Sequence, residues 1–168
     1  MSDINQSTNK APVFLVIGDR KSGKTSIIAN ITRKKMDVTP LTFGVGLEFM
    51  EVNFKDQILD VSFYETNFQN LNYAERIFAN DFGMLSNLTI LLVLENKSTQ
   101  VSFSDFENKF RLVKTFINNV TSGLSEEQSQ VLRDKFLEVH GLDQTESFLM
   151  IPCAVLMHKF DKYLTSDV

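Results

Sequence analysis

The sequence predicts an α/β domain with a mostly parallel sheet, one antiparallel edge strand and helices on both faces. Three observations support this. Short apolar runs alternate with stretches of helical period, two of the runs are joined by a two-residue turn, and the first run leads through a glycine-containing loop into a helix. The predicted order is β-α-β-β-α-β-α-α-β. Because the chain ends soon after its last predicted strand, we expect the final strand and helix of such a domain to be lacking.

Composition favours one ordinary domain. The chain has 168 residues, of which 43% are hydrophobic and 23% charged, with one cysteine and a formal charge of −4. These values predict a single domain over residues 11–168 after a disordered polar tail at 1–10. A negative charge argues against nucleic-acid binding, and no apolar run approaches the roughly 20 residues of a membrane-spanning helix. We therefore expect a cytoplasmic protein with no membrane insertion.

The first half supplies three predicted strands and a helix. Residues 11–17 are an apolar strand, and 26–35 are a helix with Ile27, Ile28 and Ile31 turned inward. An antiparallel hairpin follows, with Lys55 and Asp56 in its turn. Its first strand alternates through Val45, Leu47 and Phe49, changes phase by one residue, and continues through Met50, Val52 and Phe54. In its second strand Leu59, Val61 and Phe63 face together.

The second half alternates helices and strands. A helix ending near Gly83 is predicted to bury Leu71, Ala74, Ile77, Phe78 and Phe82. Residues 88–94 form a buried strand and 148–157 the last one. Between them lies a long helix whose core face carries Phe103, Phe106, Phe110, Val113, Ile117 and Val120. A second helix begins with a capping box at Ser125 and stops at His140.

The loop after the first strand matches the pattern G-x-x-x-x-G-K-[ST] in full. Its residues are Gly18, Asp19, Arg20, Lys21, Ser22, Gly23, Lys24 and Thr25, and Ser26 follows in the helix. The glycines allow a tight turn close to a phosphate, and the backbone amides surround it. Lys24 is predicted to reach the β- and γ-phosphate oxygens, and Thr25 to bind Mg²⁺. The loop therefore predicts a nucleotide phosphate site.

The predicted hairpin follows the first helix, and the last strand leads into His158-Lys159-Phe160-Asp161. Together these features resemble the plan of small GTPases, in which a base-reading N-K-x-D follows the fifth strand. The resemblance implies a Ras-like P-loop NTPase fold and GTP or GDP as the ligand. In that resemblance Asp161 accepts the guanine N–H groups and the Lys159 stem lies over the base. His158 stands where the family has asparagine, which weakens the expected selectivity for guanine.

The segment that would sense the γ-phosphate departs from the same plan. Where the family has D-x-x-G, this chain has Glu65-Thr66-Asn67-Phe68. Glu65 can still serve Mg²⁺ together with Thr25, and either Thr39 or Thr42 can supply the switch threonine. Phe68 cannot easily take the glycine's place, and Gln69 is more simply a surface residue than the one that orients water. No catalytic residue is assigned, and the pattern favours a nucleotide-stabilised scaffold that is at most a slow GTPase.

Four stretches besides the phosphate loop point to a closer resemblance: Pro40-Leu-Thr-Phe-Gly-Val-Gly-Leu-Glu-Phe49, Phe63-Tyr-Glu65, Ile151-Pro-Cys-Ala-Val155 and the 158–161 segment. With them the chain resembles, over about residues 11–163, the dynein light intermediate chain family, most closely its cytoplasmic dynein 2 members. The chain departs from the family in lacking glycines after Glu65 and in ending early.

The resemblance implies a non-catalytic subunit of the motor of retrograde intraflagellar transport. Its partners would be the dynein heavy-chain tail and other dynein subunits, and its location the cytoskeleton of the cilium or flagellum. The alternative is a divergent Rab-like or Arf-like GTPase, which Phe68, His158 and the lack of a C-terminal prenylation cysteine disfavour. A small P-loop kinase is a third reading, disfavoured because the arginines are scattered.

Overall fold

A computed structural model describes residues 11–33, 44–79, 81–95, 103–140 and 149–158. The strands are β1 (Val13–Gly18), β2 (Gly46–Phe54), β3 (Gln57–Thr66), β4 (Leu88–Glu95) and β5 (Cys153–His158). The helices are α1 (Lys24–Thr32), α2 (Leu71–Phe78), α3 (Phe82–Leu85), α4 (Phe103–Thr121) and α5 (Glu126–His140), with a 3₁₀ turn at Phe68–Asn70. No helix in these ranges is long and apolar enough to cross a membrane.

The sheet has five strands in the order β2-β3-β1-β4-β5. β1 pairs in parallel with β3 and β4, and β5 pairs in parallel with β4, whereas β2 is antiparallel to β3 and lies at an edge. The predicted α/β fold class, with its single antiparallel edge strand, is therefore confirmed. Strand order reverses beside β1, and open α/β sheets bind their ligands at such a reversal, outside the carboxyl ends of the strands.

Hydrophobic residues pack on both faces of the sheet. On one face α2, α4 and α5 bury Phe78, Phe116 and Leu132 against β1 and β4. On the other face Ile28 of α1 packs with Val16, Val61, Phe63 and Val93. Alternate residues of β1 thus enter different clusters, which explains why residues 11–17 read as a continuous apolar run.

Three inward-facing assignments were wrong. Ile31 is 43% exposed, Ile77 38% and Phe103 76%. The predicted helix over residues 71–82 is also broken after Phe78, and α3 starts anew with Asp81, whose side chain accepts a hydrogen bond from the Met84 N–H at 3.0 Å. Periodicity alone assigns a residue to the apolar side of a helix, but only the neighbouring elements determine how much of that side is covered.

The hairpin differs from its prediction in one respect. Lys55 and Asp56 form its turn with φ of 47° and 63°, as a two-residue turn between twisted strands requires. The register of β2 on β3 is continuous from Gly46 to Phe54, so the predicted change of phase is absent. Leu47 and Phe49 instead lie on one face of the hairpin, while Met50 and Val52 lie on the other and join the α1 cluster.

The capping box of α5 is confirmed. The Ser125 N–H donates to Gln128 Oε1 at 3.1 Å, and the Gln128 N–H donates back to Ser125 Oγ at 3.2 Å. These reciprocal bonds satisfy two amides that the first turn of a helix leaves without intrahelical partners. The capping box depends only on residues close together in the chain, so four consecutive residues were enough to predict it.

Cys153 is expected to react slowly with alkylating reagents. Burial raises its pKa from 9.0 to about 11, which lowers the thiolate fraction near neutral pH by about 100-fold. Alkylation by iodoacetamide, followed by mass spectrometry, should therefore be about 100-fold slower than in the urea-unfolded chain. The rate should rise with pH until the thiol titrates. Equal rates in folded and unfolded protein would contradict the assignment of Cys153 as a half-buried, unreactive thiol.

Candidate functional site

The loop Gly18–Thr25 joins the end of β1 to the start of α1, beside the carboxyl end of β3. Gly18 is the last residue of β1 and lies opposite Val93 of β4. A Cβ on Gly18 would stand 2.4 Å from the Val93 carbonyl oxygen and 2.6 Å from Ser22 Oγ. The first glycine of the loop is therefore required because the loop passes directly against β4.

The second glycine is required by its backbone conformation. Gly23 has φ 96° and caps the N-terminus of α1, and Lys21 also has a positive φ, 64°. Left-handed backbone at these points directs the loop around the start of the helix. Ser22 is buried, and its Oγ has no hydrogen-bond partner among the described residues. Such an orphaned hydroxyl in a tightly folded loop fits a site that receives a polar ligand.

Lys24 lies across the loop. It is only 6% exposed, and its Nζ donates to the carbonyl oxygens of Gly18 at 3.1 Å and Asp19 at 2.7 Å. Desolvation by burial lowers the pKa of Lys24, and the charges of Glu65 and Asp19 offset this only in part. A partly desolvated cation that is held by neutral carbonyls is well suited to bind an anion at the same place.

Thr25 and Glu65, the residues predicted to serve Mg²⁺, are in contact. The Thr25 hydroxyl donates to Glu65 Oε1 at 2.8 Å, although the residues are forty positions apart. Glu65 reaches this place because β3 pairs with β1 and ends beside the loop. A hydroxyl and a carboxylate are hard oxygen ligands of the kind that Mg²⁺ prefers. The described residues contain no group of three acidic, histidine or cysteine side chains that would hold a metal by themselves.

Sequence reasoning missed a contribution from α4. Lys109 Nζ lies 2.7 Å from Asp19 Oδ2 in the loop and 2.6 Å from Asp105 Oδ2 on its own helix. Burial alone would lower the pKa of Lys109, but the hydrogen bonds and charges of Asp105 and Asp19 outweigh it and leave the pKa raised. The i, i+4 pair was visible in the sequence, whereas the contact with Asp19 depends on how α4 packs.

The segment after Glu65 contacts both Gly44 and the hydrophobic core. Thr66 Oγ1 and Asn70 Nδ2 both donate to the Gly44 carbonyl oxygen, at 3.4 and 3.5 Å. Phe68 packs against the core cluster, and the 3₁₀ turn it begins leads directly into α2. Gln69 is exposed, as the sequence suggested. A segment anchored in the core differs from a loop that becomes ordered only around a γ-phosphate.

Of the other predicted site residues, some lie in the part of the chain that the structure describes and some do not. Arg20 and Lys21 are exposed in the loop, and Ser26 is half-buried in α1. His158 ends β5 opposite Glu95 of β4. Lys159 and Asp161, predicted to read the base, and Thr39 and Thr42, predicted to serve the metal, lie outside the described residues.

Lys109 is expected to support anion binding by neutralising Asp19. Lys109→Met leaves a carboxylate without its counter-charge in the phosphate loop, so nucleotide affinity should fall about three- to tenfold at low salt and less at high salt. Isothermal titration with GDP measures this, and Lys114→Met, an exposed lysine on the same helix, is the control. Equal effects of the two variants, or an effect independent of salt, would contradict the role.

Comparison with known proteins gives a structural likeness. No family model matches the chain, and no curated protein matches it. Among solved structures, the conserved domain of the dynein light intermediate chain matches with a TM-score of 0.56 and 14% identity, covering 88% of this chain and 54% of that one. The GDP-bound RocCORdC fragment of Roco2 from Methanosarcina barkeri matches with a TM-score of 0.45 and 17% identity, over 88% of this chain and 43% of that one.

The first of these matches confirms the fold at the level of the domain. The chain has the fold of the dynein light intermediate chain's conserved domain and spans about half of its length. This likeness agrees with the α/β class expected from the sequence. At 14% identity the likeness concerns the backbone path, and the roles of individual residues stay predictions.

Proposed function

We propose that this chain is a light intermediate chain subunit of a dynein motor, built on a nucleotide-stabilised Ras-like G domain over residues 11–168. The observation that carries the proposal is the likeness to the dynein light intermediate chain domain over 88% of the chain. The proposed partners are the dynein heavy-chain tail and other dynein subunits. The motif resemblances favour cytoplasmic dynein 2, and hence retrograde intraflagellar transport in the cilium or flagellum.

The proposed ligand is GDP or GTP, held by residues 18–26. Amides of the loop and the start of α1 would donate to phosphate oxygens, and the Lys24 ammonium would move from the Gly18 and Asp19 carbonyl oxygens to the phosphates. Thr25 and Glu65 would hold Mg²⁺, whose charge neutralises the phosphates when it is bound. Lys159 and Asp161 are the proposed contacts with the base.

The same geometry argues against rapid hydrolysis. A switch GTPase needs a backbone amide and a water-orienting side chain that close on the γ-phosphate. Here Phe68 packs into the core and Gln69 points to solvent, while Thr66 and Asn70 are tied to Gly44. We therefore propose that the nucleotide stabilises the fold and that the chain turns it over slowly or not at all.

The first experiment identifies the nucleotide. The full chain is purified without added nucleotide and denatured, and whatever is released is identified by chromatography. GDP or GTP in near-stoichiometric amount is the expected result. Release of ATP would favour a kinase, and an empty but folded protein would refute nucleotide stabilisation. Measurable GTP turnover with different affinities for GTP and GDP would favour the Rab-like or Arf-like alternative.

The second experiment tests the partner. The chain is co-expressed with heavy-chain tail fragments of cytoplasmic dynein 1 or of cytoplasmic dynein 2 and examined by size-exclusion chromatography. Co-elution with the dynein 2 tail alone is expected. Co-elution with the dynein 1 tail would correct the assignment of the motor, and co-elution with neither would refute the proposed subunit role.

Thr25→Ala is expected to weaken the dependence of nucleotide affinity on Mg²⁺. The change removes a proposed metal ligand and the hydrogen bond to Glu65, so affinity in Mg²⁺ should fall about tenfold. In EDTA the variant and the wild type should then be similar. Thr32→Ala, at the other end of α1, is the matched control, because among the described residues its hydroxyl donates to the helix carbonyls of Ile28 and Ala29. A tenfold loss that persists in EDTA would contradict the metal role.

A further inference from the structure

Two buried side-chain oxygens lack a hydrogen-bond partner among the residues that the structure describes. They are Ser22 Oγ in the phosphate loop and Asn67 Oδ1, just after β3. Ser22 is 1% exposed and Asn67 9%. A buried polar atom without a partner is costly, and in native proteins it normally meets a ligand, an ion or a water. The loop accounts for Ser22, whereas nothing described so far accounts for Asn67.

Asn67 lies beside the phosphate loop. The parallel pairing of β1 with β3 extends as far as Ile17 and Thr66, so the next residues, Gly18 and Asn67, adjoin where the two strands end. Asn67 keeps extended backbone, with φ −113° and ψ 166°. Its carbonyl oxygen accepts a hydrogen bond from the Asn70 N–H at 3.0 Å, which holds this backbone at the start of the 3₁₀ turn.

The side chain of Asn67 is on the same face of the sheet as that of Glu65. Successive residues of extended backbone point to opposite faces, so residues 63, 65 and 67 share one face. On this face Phe63 packs with Ile28 of α1, and Glu65 Oε1 accepts the Thr25 hydroxyl hydrogen bond at 2.8 Å. Asn67 is about 6.6 Å further along the strand than Glu65. It therefore adjoins the contact between Thr25 and Glu65.

The chemistry of the unpartnered atom favours a cation. An amide oxygen only accepts hydrogen bonds, and it is a hard oxygen ligand of the kind that binds Mg²⁺. Mg²⁺ holds six oxygens in an octahedron at about 2.0–2.1 Å, so neighbouring ligands are about 2.9 Å apart. Thr25 Oγ1 and Glu65 Oε1 already have this spacing, at 2.8 Å. A neutral amide beside them adds a ligand without adding negative charge near the phosphates.

We propose that Asn67 Oδ1 is a third protein ligand of the Mg²⁺ that Thr25 and Glu65 hold beside a bound nucleotide. This inference rests on the proposed function and adds to it a residue that determines how firmly the metal is held. Phosphate oxygens and waters would fill the other positions around the ion. The unpartnered oxygen is then satisfied only in the metal-loaded complex.

The Mg²⁺ dependence of GDP binding tests this ligand. The GDP affinity of the full chain is measured by isothermal titration over a series of Mg²⁺ concentrations and in EDTA. In Asn67→Ala the Mg²⁺ concentration that gives half of the gain in affinity should rise about tenfold, while the affinity in EDTA stays that of the wild type. A loss of affinity that is equally large in EDTA would show that Asn67 contacts the phosphates, and would overturn the proposal.

Asn67→Asp distinguishes a metal ligand from a phosphate contact by the sign of its effect. The carboxylate keeps an oxygen and adds a negative charge, so the half-gain Mg²⁺ concentration should fall about threefold or more. Against a phosphate the same charge would repel, and GDP affinity would fall instead. The matched controls are Asn70→Ala and Asn70→Asp, because the Asn70 amide donates to the Gly44 carbonyl oxygen. Equal shifts at the two positions would overturn the proposal.

Mn²⁺ in place of Mg²⁺ gives a readout at the metal itself. Water-proton relaxation of the Mn²⁺–GDP complex counts the waters on the ion, and Asn67→Ala should gain a water where the amide oxygen is removed. An unchanged count would overturn the third ligand. A wild-type chain that binds no GDP would refute the proposed function and this inference together. GDP binding whose Mg²⁺ dependence is the same in Asn67→Ala would refute this inference alone.

Discussion

Gly18→Ala is expected to lower the free energy of unfolding by about 3 kcal/mol, because the added methyl group collides with fixed backbone. Its Cβ would stand 2.4 Å from the Val93 carbonyl oxygen, which the parallel pairing of β1 and β4 holds in place. To relieve this collision, β1 and β4 would have to move apart where the phosphate loop begins. Urea unfolding followed by circular dichroism measures the change.

Gly44→Ala is the matched control for this prediction. Gly44 has φ +97°, and within the described part of the chain no atom beyond its sequence neighbours lies within 4 Å of the place that a methyl group would take, so alanine there meets strain of the backbone but no collision with a described residue. The expected loss is about 1 kcal/mol. Equal losses at the two positions would show that the space beside Gly18 is not limiting.

Lys24→Met is expected to reduce the affinity for GDP or GTP by at least about 100-fold while the protein stays folded. Two or more charge-assisted hydrogen bonds to phosphate are removed, each worth about 1.5–3 kcal/mol. Stability without nucleotide should change by less than about 1 kcal/mol, because the hydrogen bonds lost to Gly18 and Asp19 are offset by relief of desolvation.

Lys21→Met is the control for the charge of the loop, since Lys21 is exposed in the same segment. Isothermal titration and thermal unfolding are measured on both variants. Binding that survives in Lys24→Met would show that the loop does not hold phosphate in the proposed way. If both variants lose nucleotide affinity equally, the loss reflects the net charge of the loop and not a specific contact of Lys24.

Much of the fold was predictable because its signals are local. Continuous apolar runs located β1, β4 and β5, alternating apolar residues located the two strands of the hairpin, and the capping box at Ser125 located the start of α5. The turn at Lys55 and Asp56 lies where the break between two alternating runs placed it. The turn and the capping box depend on hydrogen bonds between residues that are neighbours in the chain or in a hairpin.

The wrong predictions concern side chains whose burial depends on elements that are distant in the chain. Ile31 and Ile77 lie on the apolar sides of their helices, yet both are substantially exposed, because no described residue packs over their outer edges. The apparent change of phase in β2 had a similar cause. Leu47 and Phe49 are as apolar as Met50 and Val52, but α1 covers only the second pair.

By itself the sequence determined the α/β class, the order of the strands and the position of the glycine-containing loop between β1 and α1, because periodicity and short motifs act over a few residues. Only the tertiary structure decided that Glu65 meets Thr25 and that Lys109 of α4 pairs with Asp19. Those contacts join residues tens of positions apart. They depend on strand order and helix packing, which no local pattern specifies.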